Sequence, residues 1–226
     1  MNLLAIETAT PACGVGVLTA AGLEVTRVVN EDRRHTEALA PAISALLDEL
    51  GLAAREVTRV VVDRGPGLFT GLRVGVATAI AFAQGLGCDL VGVTSLELLA
   101  HGAFAAGIRG RVVACVDARR GEVFEQPFLL EGDVAATRPP RVATARDVVI
   151  EWATNGAPVT FTGDGVARYR ADFDAVPYGE VFAQSVPSLH AALGLGASRE
   201  PAAVITPLYL READAVANFS TRQRPT

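Results

Sequence analysis

The first third of the chain alternates short apolar runs with turn residues. Runs rich in Leu, Val and Ile that end at turns containing Pro or Gly are typical of strands. The pattern therefore predicts three consecutive strands, over Leu3–Glu7, Gly14–Leu18 and Leu23–Val29.

Apolar residues then recur with the period of a helix. Over Thr36–Leu50, one face carries Leu39, Ile43, Leu46, Leu47 and Leu50, and the opposite face carries Glu37, Ser44 and Asp48. This amphipathic pattern predicts a helix, and Pro41 is expected to bend its first turns. The elements expected next are strand Val57–Val62, helix Gly71–Gln84, strand Leu90–Val93 and helix Leu96–Ala105.

The second half of the chain repeats this order by pattern. Its expected elements are strands Arg111–Asp117 and Glu122–Leu130, a third near Arg141–Ala143, helix Ala145–Thr154, strand Pro158–Thr162 and helix Ser188–Leu195. Two such units predict an α/β protein with two lobes and a cleft between them, which is the architecture of the actin, Hsp70 and sugar-kinase ATPases. We therefore expect an N-terminal lobe over 1–107, a C-terminal lobe over 108–212 and a flexible tail over 213–226.

Composition limits the chemistry that is available. All 20 basic residues are Arg, so a P-loop lysine and a Schiff-base lysine are excluded. The net charge is −5 and the arginines are scattered, so the isolated chain is expected to bind nucleic acid weakly. Three dispersed cysteines, Cys13, Cys88 and Cys115, and the lack of a signal-peptide pattern favour a cytosolic protein with reduced thiols. No apolar run approaches the roughly 18 residues of a membrane span.

Acidic residues end corresponding strands in the two halves. Glu7 ends the first strand, and Asp117 ends the first strand of the second half. Across a cleft, two such carboxylates would hold magnesium or the attacking water of an ATPase; alternatively, they cap turns in polar loops. Pro11 weighs against a phosphate-binding hairpin after Glu7, because such hairpins need closely approaching backbone N–H groups.

Two further segments leave alternatives open. Gly163, Asp164 and Gly165 follow a strand, as an adenosine-binding turn would, but they also fit an ordinary turn. The adjacent Arg119 and Arg120 would meet phosphate or a partner's carboxylates, or they belong to a solvated turn.

Reactive side chains are sparse elsewhere. His35, His101 and His190 are isolated, and no two have metal-ligand spacing. His35 is expected at the surface or as a helix cap. The chain has no G-x-S-x-G motif, and no cysteine in an evidently electropositive loop. We therefore expect no catalytic residue, no metal and no cofactor.

Seven segments, taken in order, resemble the TsaB (YeaZ) family, a subunit of the bacterial machinery that makes threonylcarbamoyladenosine in tRNA. The segments are LLAIETAT at 3–10, RRHTEAL at 33–39, GPGLFTGLRVGVA at 65–77, GVTSLELLA at 92–100, VDARRGEVF at 116–124, FTGDG at 161–165 and PLYLRE at 207–212. The segment at 65–77 is the most specific. Leu68 stands where the family usually has Ser, and Ile80 where it often has Lys.

The resemblance implies an ASKHA (actin/Hsp70-like) fold with two RNase H-like lobes, each a mixed sheet flanked by helices. It also implies a non-catalytic scaffold that binds the catalytic subunit TsaD, and TsaE through the TsaB–TsaD complex. The modification is N6-threonylcarbamoyladenosine at position 37 of tRNAs that read codons starting with A. A homodimer is expected when TsaD is absent, tRNA contacts mainly through partners, a cytoplasmic location and no membrane association.

The catalytic relative TsaD carries a metal-binding H-x-E-G-H motif. The matching stretch here is Ser95-Leu96-Glu97-Leu98-Leu99. Serine and leucine replace both metal histidines, and neither can hold an iron or zinc ion there.

The glycine-rich segment after Val62 is interpreted as a turn followed by an assembly helix rather than as a phosphate loop. The helix is apolar over too wide an arc for one contact, so one arc is expected to pack inward and another to meet a partner. We assign Val76 and Ile80 to the outward arc and expect Thr70 to cap the helix. The expected partner surface comprises Leu39, Ile43, Leu46, Leu72, Gly75, Val76, Ala79, Ile80 and Ala83.

A degenerate nucleotide cleft is the other candidate site. It would contain Glu7, Thr8, Asp117, Arg119, Arg120, Gly163, Asp164 and Gly165. Two other functions remain as alternatives to the scaffold: an active ATPase or kinase of the same fold, and a peptidase of the M22 type. The missing lysine, the missing metal histidines and Pro11 weigh against both.

Overall fold

A computed structural model describes residues 1–29 and 35–211. The expected tail over 213–226 and residue 212 of the expected C-terminal lobe lie outside these residues. The predicted two-lobed α/β architecture is confirmed, because the chain forms two mixed sheets flanked by helices.

The N-terminal sheet has five strands in the order β3-β2-β1-β4-β5. Three antiparallel strands come first in the chain, and β1, β4 and β5 then run parallel. The strands are β1 Leu3–Glu7, β2 Cys13–Leu18, β3 Glu24–Val29, β4 Arg59–Asp63 and β5 Asp89–Val93. Because parallel strands need crossover connections, a helix lies between β3 and β4 and another between β4 and β5.

Three helices belong to this half of the chain: α1 His35–Glu49, α2 Phe69–Leu86 and α3 Ser95–Ala105. Helices α1 and α2 pack on one face of the sheet, where Leu39, Leu46 and Val76 join a core with Ile6 and Val62. Gly87, with a φ of 66°, ends α2 in the left-handed conformation that favours glycine.

The C-terminal sheet repeats the order of the first, as β11-β10-β6-β7-β8, with β9 also pairing β7. Its strands are β6 Gly110–Arg119, β7 Glu122–Leu130, β8 Val134–Ala136, β9 Arg141–Thr144, β10 Val159–Thr162 and β11 Gly179–Phe182. The helices in this half of the chain are α4 Ala145–Asn155, α5 Asp164–Arg168, α6 Arg170–Phe173 and α7 Leu189–Ser198. The sequence pattern did not predict β8, β11, α5 or α6, each of which has five residues or fewer.

Two helices tie the lobes together. Helix α7 comes from the second half of the chain but packs on β1, β2 and β4 of the first sheet. Helix α3 comes from the first half but packs on β6 of the second sheet and on α7. The segment after α7 continues this link, since Ile205 joins the N-terminal core and Leu210 packs against the C-terminal one.

Helix α2 corrects two expectations from the sequence. It begins at Phe69 with Leu68 as its N-cap and has no capping side chain there, so the prediction that Thr70 caps it is wrong. It has 18 residues with Arg73 as its single charge. Among the described helices it alone is long and apolar enough to cross a membrane by length and composition, which contradicts the expectation that no apolar run approaches that length. The same properties are found in helices of a packed core, and α2 lies against the N-terminal sheet.

Candidate functional site

The glycines at the start of α2 allow the loop after β1 to approach the helix closely. The Thr8 hydroxyl donates a hydrogen bond to the Gly71 carbonyl at 2.8 Å, and the Leu68 N–H donates to the Ala9 carbonyl at 2.7 Å. A Cβ atom added at Gly71 would lie 2.0 Å from the Thr8 carbonyl oxygen, and one at Gly75 would lie 2.2 Å from Oγ1 of Thr8. The space that a phosphate would need beside this strand–loop–helix segment therefore holds the chain's own residues.

His35, the first residue of α1, also contacts the loop between β1 and β2. Its side chain is buried, and Nε2 lies 2.9 Å from the Thr10 carbonyl and 3.1 Å from the Ala12 carbonyl. With Nε2 protonated, it donates to these two oxygens. The expectation that His35 is a surface or capping residue is wrong, because the loop bends back over the first turn of α1 and encloses the ring.

Two acidic side chains meet at the carboxyl ends of β1 and β4. Glu7 and Asp63 are both fully buried. Oε1 of Glu7 accepts the Ala9 N–H at 2.7 Å and the Thr10 N–H at 3.3 Å. Burial, followed by the charge of Asp63, raises the pKa of Glu7 well above its ordinary value. Burial likewise raises the pKa of Asp63 to about 7.

Asp63 joins the loop that leads into α2 to the first residue of α3, a role that the sequence analysis missed. Its Oδ1 accepts the Gly65 N–H at 2.8 Å and the Ser95 hydroxyl at 2.9 Å. The signal was present, because Asp63 directly follows the predicted strand Val57–Val62, much as Glu7 and Asp117 end their predicted strands. Ser95 and Leu99, which the resemblance places at the two histidines of the H-x-E-G-H motif, are both fully buried. Among residues 1–29 and 35–211, no group of three or more His, Cys, Asp or Glu is arranged to hold a metal ion.

In the C-terminal lobe the corresponding acidic residue is Asp117 on β6, and it is paired with positive charges. Asp117 accepts the Arg119 N–H at 2.8 Å and pairs through Oδ2 with the guanidinium groups of Arg119 at 2.9 Å and Arg168 at 3.4 Å. Oδ1 of Asp164 accepts the Asp117 N–H at 3.0 Å. Burial raises the pKa of Asp164 to about 6.

The remaining predicted cleft residues lie in the turns of this lobe. Arg119 and Arg120 have φ values of 67° and 58° and form the tight turn between β6 and β7. Gly163 has a φ of 114°, and a Cβ there would lie 2.0 Å from the Cys115 carbonyl oxygen, so this turn packs directly on β6. The charge of Asp164 adds to the rise in the pKa of Glu7, after burial and the charge of Asp63, so Asp164 lies near Glu7. That Glu7 and Asp117 face each other stays a prediction.

The predicted partner surface is mostly internal to the chain. Eight of its nine residues are buried in the single chain: Leu39, Ile43, Leu46, Leu72, Gly75, Val76, Ala79 and Ala83. Only Ile80 is partly exposed. The assignment of Val76 to the outward arc is wrong, because Val76 is 3% exposed and packs in the core formed with β1 and β4. On a helical wheel Val76 borders the polar stripe formed by Arg73 and Gln84, which suggested an outward position, but Val76 shares its core cluster with Leu39 and Ile43 of α1.

A different set of side chains faces outward from the same two helices. On α2, Arg73, Ala77, Ala81 and Gln84 are exposed, and Thr78 and Phe82 are partly exposed. A groove of about 320 Å³ separates α2 from α1, and its exposed or partly exposed lining is Ala40, Ser44, Asp48, Leu52, Ala53, Ala54, Thr78 and Phe82. We call the exposed side of α2 together with this groove the α1–α2 outer face. It is mainly small and apolar.

Comparisons with known proteins were made for the whole chain. A family model described as TsaD, tRNA N6-adenosine threonylcarbamoyltransferase, matches residues 28–173. The tRNA threonylcarbamoyladenosine biosynthesis protein TsaB of Bacillus subtilis is 28% identical over 99% of this chain and 100% of its own length. TsaB of Escherichia coli is 36% identical over 55% of this chain and 53% of its own length. An uncharacterised protein of Mycobacterium tuberculosis is 35% identical over 95% of this chain and 93% of its own length.

Solved structures agree with the sequence comparison. A Pseudomonas aeruginosa protein described as similar to peptidase YeaZ superposes with a TM-score of 0.80 at 29% identity, covering 93% of this chain and 99% of that chain. YeaZ of Pseudomonas aeruginosa gives a TM-score of 0.73 at 29% identity, and the match covers 87% of this chain and 90% of that chain. The expected fold of this family, with two mixed sheets flanked by helices, is thereby confirmed. Since the TsaD family model spans more than half of the chain, and TsaB and YeaZ relatives match nearly all of it in sequence and in fold, this chain belongs to the TsaB (YeaZ) family.

Proposed function

We propose that this chain is a non-catalytic scaffold that binds a TsaD-type catalytic subunit through the α1–α2 outer face. In this role it supports formation of N6-threonylcarbamoyladenosine at position 37 of tRNAs that read codons starting with A. The observation that carries the proposal is the exposed apolar side of α2 beside an open groove. Small exposed side chains such as Ala77 and Ala81 permit close approach of a partner helix.

The state of the cleft supports a role without catalysis. The glycine-rich start of α2 is filled by Thr8 and Ala9, and Asp117 is paired with Arg119 and Arg168. We regard Glu7, Thr8, Asp117, Arg119, Arg120 and the turn at 163–165 as the remnant of a nucleotide cleft. No geometry in the described residues favours the kinase or peptidase alternative.

The remaining partners belong to the same proposal. We infer that TsaE joins through the TsaB–TsaD complex and that two copies of this chain pair through the α1–α2 outer face when TsaD is absent. Contacts with tRNA come mainly from the partners, since the net charge of this chain is −5. A cytoplasmic location is part of this assignment.

Two substitutions on the exposed side of α2 test the proposal. Ala77→Arg and Ala81→Arg each place a long charged side chain on the expected contact, where it would be desolvated without a partner. Ala197→Arg, on the exposed side of α7, is the matched control. We expect all three variants to keep the melting temperature within a few degrees of the parent chain. Only the two α2 variants should lose capture of the TsaD-type protein in a pull-down and lose self-association in gel filtration.

The pull-down also separates the contact from the function. If Ala77→Arg and Ala81→Arg capture the TsaD-type protein as well as the parent does, the contact lies elsewhere. If the parent chain itself captures none, the scaffold role is wrong. In cells that depend on this chain, the same two variants should lower the threonylcarbamoyladenosine content of tRNA, as measured by nucleoside mass spectrometry, while Ala197→Arg should leave it unchanged.

A further inference from the structure

Glu7 and Asp63 stand side by side on neighbouring strands. Strands β1 and β4 are parallel, and Ile6 is level with Val62. The residues that follow them, Glu7 on β1 and Asp63 on β4, are therefore also level with each other. Neighbouring strands lie about 4.8 Å apart, and residues at the same level point to the same face. On this face Ala5 and Val61, two positions earlier on each strand, belong to a buried apolar cluster with residues of α3 and α7.

Each carboxyl group of the pair has one oxygen satisfied and one without a partner. Oε1 of Glu7 and Oδ1 of Asp63 accept backbone N–H groups. Oε2 of Glu7 and Oδ2 of Asp63 are buried and have no hydrogen-bond partner among the described residues. Two ionised carboxylates offer only acceptors, so neither free oxygen can satisfy the other unless one of them carries a proton.

The charged groups around the pair do not neutralise it. Asp164 faces Glu7 from the C-terminal lobe, and Glu97 of α3 faces Asp63; both raise the pKa of the group that they face. Arg64 lowers the pKa of Asp63, but by less than burial raises it. By contrast, Glu125 in the other lobe is equally buried but is met by the guanidinium groups of Arg138 and Arg141.

We propose that Glu7 and Asp63 hold a single proton between them at neutral pH, as a hydrogen bond between a carboxylic acid and a carboxylate. The shared proton satisfies both free oxygens and removes one of two like charges from a dry site. The two free oxygens are sufficient ligands for a proton, whereas the described residues offer no group of three or more His, Cys, Asp or Glu that could hold a metal ion. This inference is independent of the proposed function.

The protonation state of the pair controls contacts at the end of the N-terminal sheet that faces the C-terminal lobe. Glu7 anchors the loop that packs against Gly71 of α2, and Asp63 anchors the start of α3 through Ser95. When the proton leaves for solvent, two adjacent carboxylates repel each other with little screening. The strand ends then separate, and the loop over α2 loosens.

Carbon-13 NMR of the Asp and Glu carboxyl carbons tests the pair directly. Titrations compare the intact chain with Glu7→Gln, Asp63→Asn and the control Asp164→Asn, a buried acid that faces Glu7 from the other lobe. In the parent chain we expect the Glu7 and Asp63 carbons to titrate together, with one proton retained through pH 7. Replacing either partner should lower the midpoint of the other by at least about one pH unit, whereas Asp164→Asn should shift neither by as much.

Several outcomes would overturn the proposal. Both carboxyls ionised at pH 6 would do so, as would independent titration of the two in the parent chain. A shift of Glu7 in Asp164→Asn as large as that in Asp63→Asn would identify a different pair. If added Mg²⁺ or Ca²⁺ ionises both groups at pH 6, the site takes a cation in place of the proton. Should the amide variants fail to fold, joint titration in the parent chain alone decides.

Discussion

Helices α2 and α3 both follow a parallel strand of the same sheet, and both are apolar around most of their circumference, yet their surroundings differ. Helix α3 lies between the two lobes, so Leu96, Leu98, Leu99, Ala100 and Ala103 are all fully buried. Helix α2 has the sheet and α1 on one side only, and its other side is exposed. An apolar helix therefore indicates a binding partner only where part of its apolar surface stays exposed after the sheets and helices of its own chain have packed against it.

The two helices also begin differently. Thr94 and Glu97 form a capping box at the start of α3, in which the Thr94 hydroxyl accepts the Glu97 N–H at 3.3 Å. The start of α2 has no capping side chain. Oδ1 of Asp63 accepts the N–H of Gly65, in the loop before α2, and the hydroxyl of Ser95, the first residue of α3.

The largest effect is expected from Val76→Arg on the inner side of α2. Val76 packs in the core with β1 and β4, so an arginine there would be buried without a counter-charge. The cost should be roughly 4 kcal/mol or more, a large share of the stability of a domain. Urea unfolding followed by circular dichroism measures it, with the exposed Ala77→Arg as the matched control. Equal stability of the two variants would contradict the burial of Val76 against the sheet.

The next effect concerns pH and comes from Asp63. Because burial raises its folded-state pKa from 3.8 to about 7, the folded protein keeps a proton that the unfolded chain releases above about pH 4. This contribution is therefore fully present below pH 4 and is lost as the pH rises to about 7. The difference between the two pKa values corresponds to roughly 4 kcal/mol in the free energy of unfolding.

The difference in unfolding free energy between the parent and Asp63→Asn cancels the groups that titrate alike in both proteins and leaves the contribution of Asp63 together with its effect on Glu7. Urea midpoints measured from pH 4 to pH 8 should fall more steeply for the parent than for Asp63→Asn. Parallel curves for the two proteins would contradict the raised pKa. Asp164, whose pKa is raised to about 6, adds a fall of the same sign in both proteins.

A smaller loss is expected for Gly71→Ala. The added Cβ would lie 2.0 Å from the Thr8 carbonyl oxygen, so the loop must move away from α2 and loses its hydrogen bond from Thr8 to the Gly71 carbonyl. We expect a loss of about 3 kcal/mol in the free energy of unfolding. Gly85→Ala is the control on the same helix, because a Cβ there meets nothing within 4 Å. Alanine is the better helix former, so the control should gain up to about 1 kcal/mol.

The long elements of both lobes followed from the sequence because their apolar periods are strong. The three-stranded start and α1 both agree with the pattern. The short strand β11 was missed because its four residues, Gly179–Phe182, carry too little alternation and are only partly buried. It exists because β10 offers a parallel edge on which it can pair.

The candidate sites were harder to predict because they depend on what lies across the fold. A helical wheel placed Val76 near the polar stripe of α2, but the wheel contains no information about α1. His35 is enclosed by a loop that is 23 residues earlier in the chain at its nearest contact. Asp63 has a strand-end position that the sequence shows, but its pairing with Glu7 depends on the parallel register of β1 and β4.

The smallest effect separates the two helix starts. Thr94→Ala removes the hydroxyl that accepts the Glu97 N–H and should lower the free energy of unfolding by about 1 kcal/mol. Thr70→Ala removes an exposed side chain from the second residue of α2, where Leu68 is the N-cap. Because no backbone N–H of α2 depends on a side-chain cap, its effect should stay below about 0.5 kcal/mol. Thermal melts of the two variants side by side measure the difference. A loss in Thr70→Ala as large as that in Thr94→Ala would mean that α2 is capped by its threonine after all, and that the packing of the loop after β1 is not what secures its start.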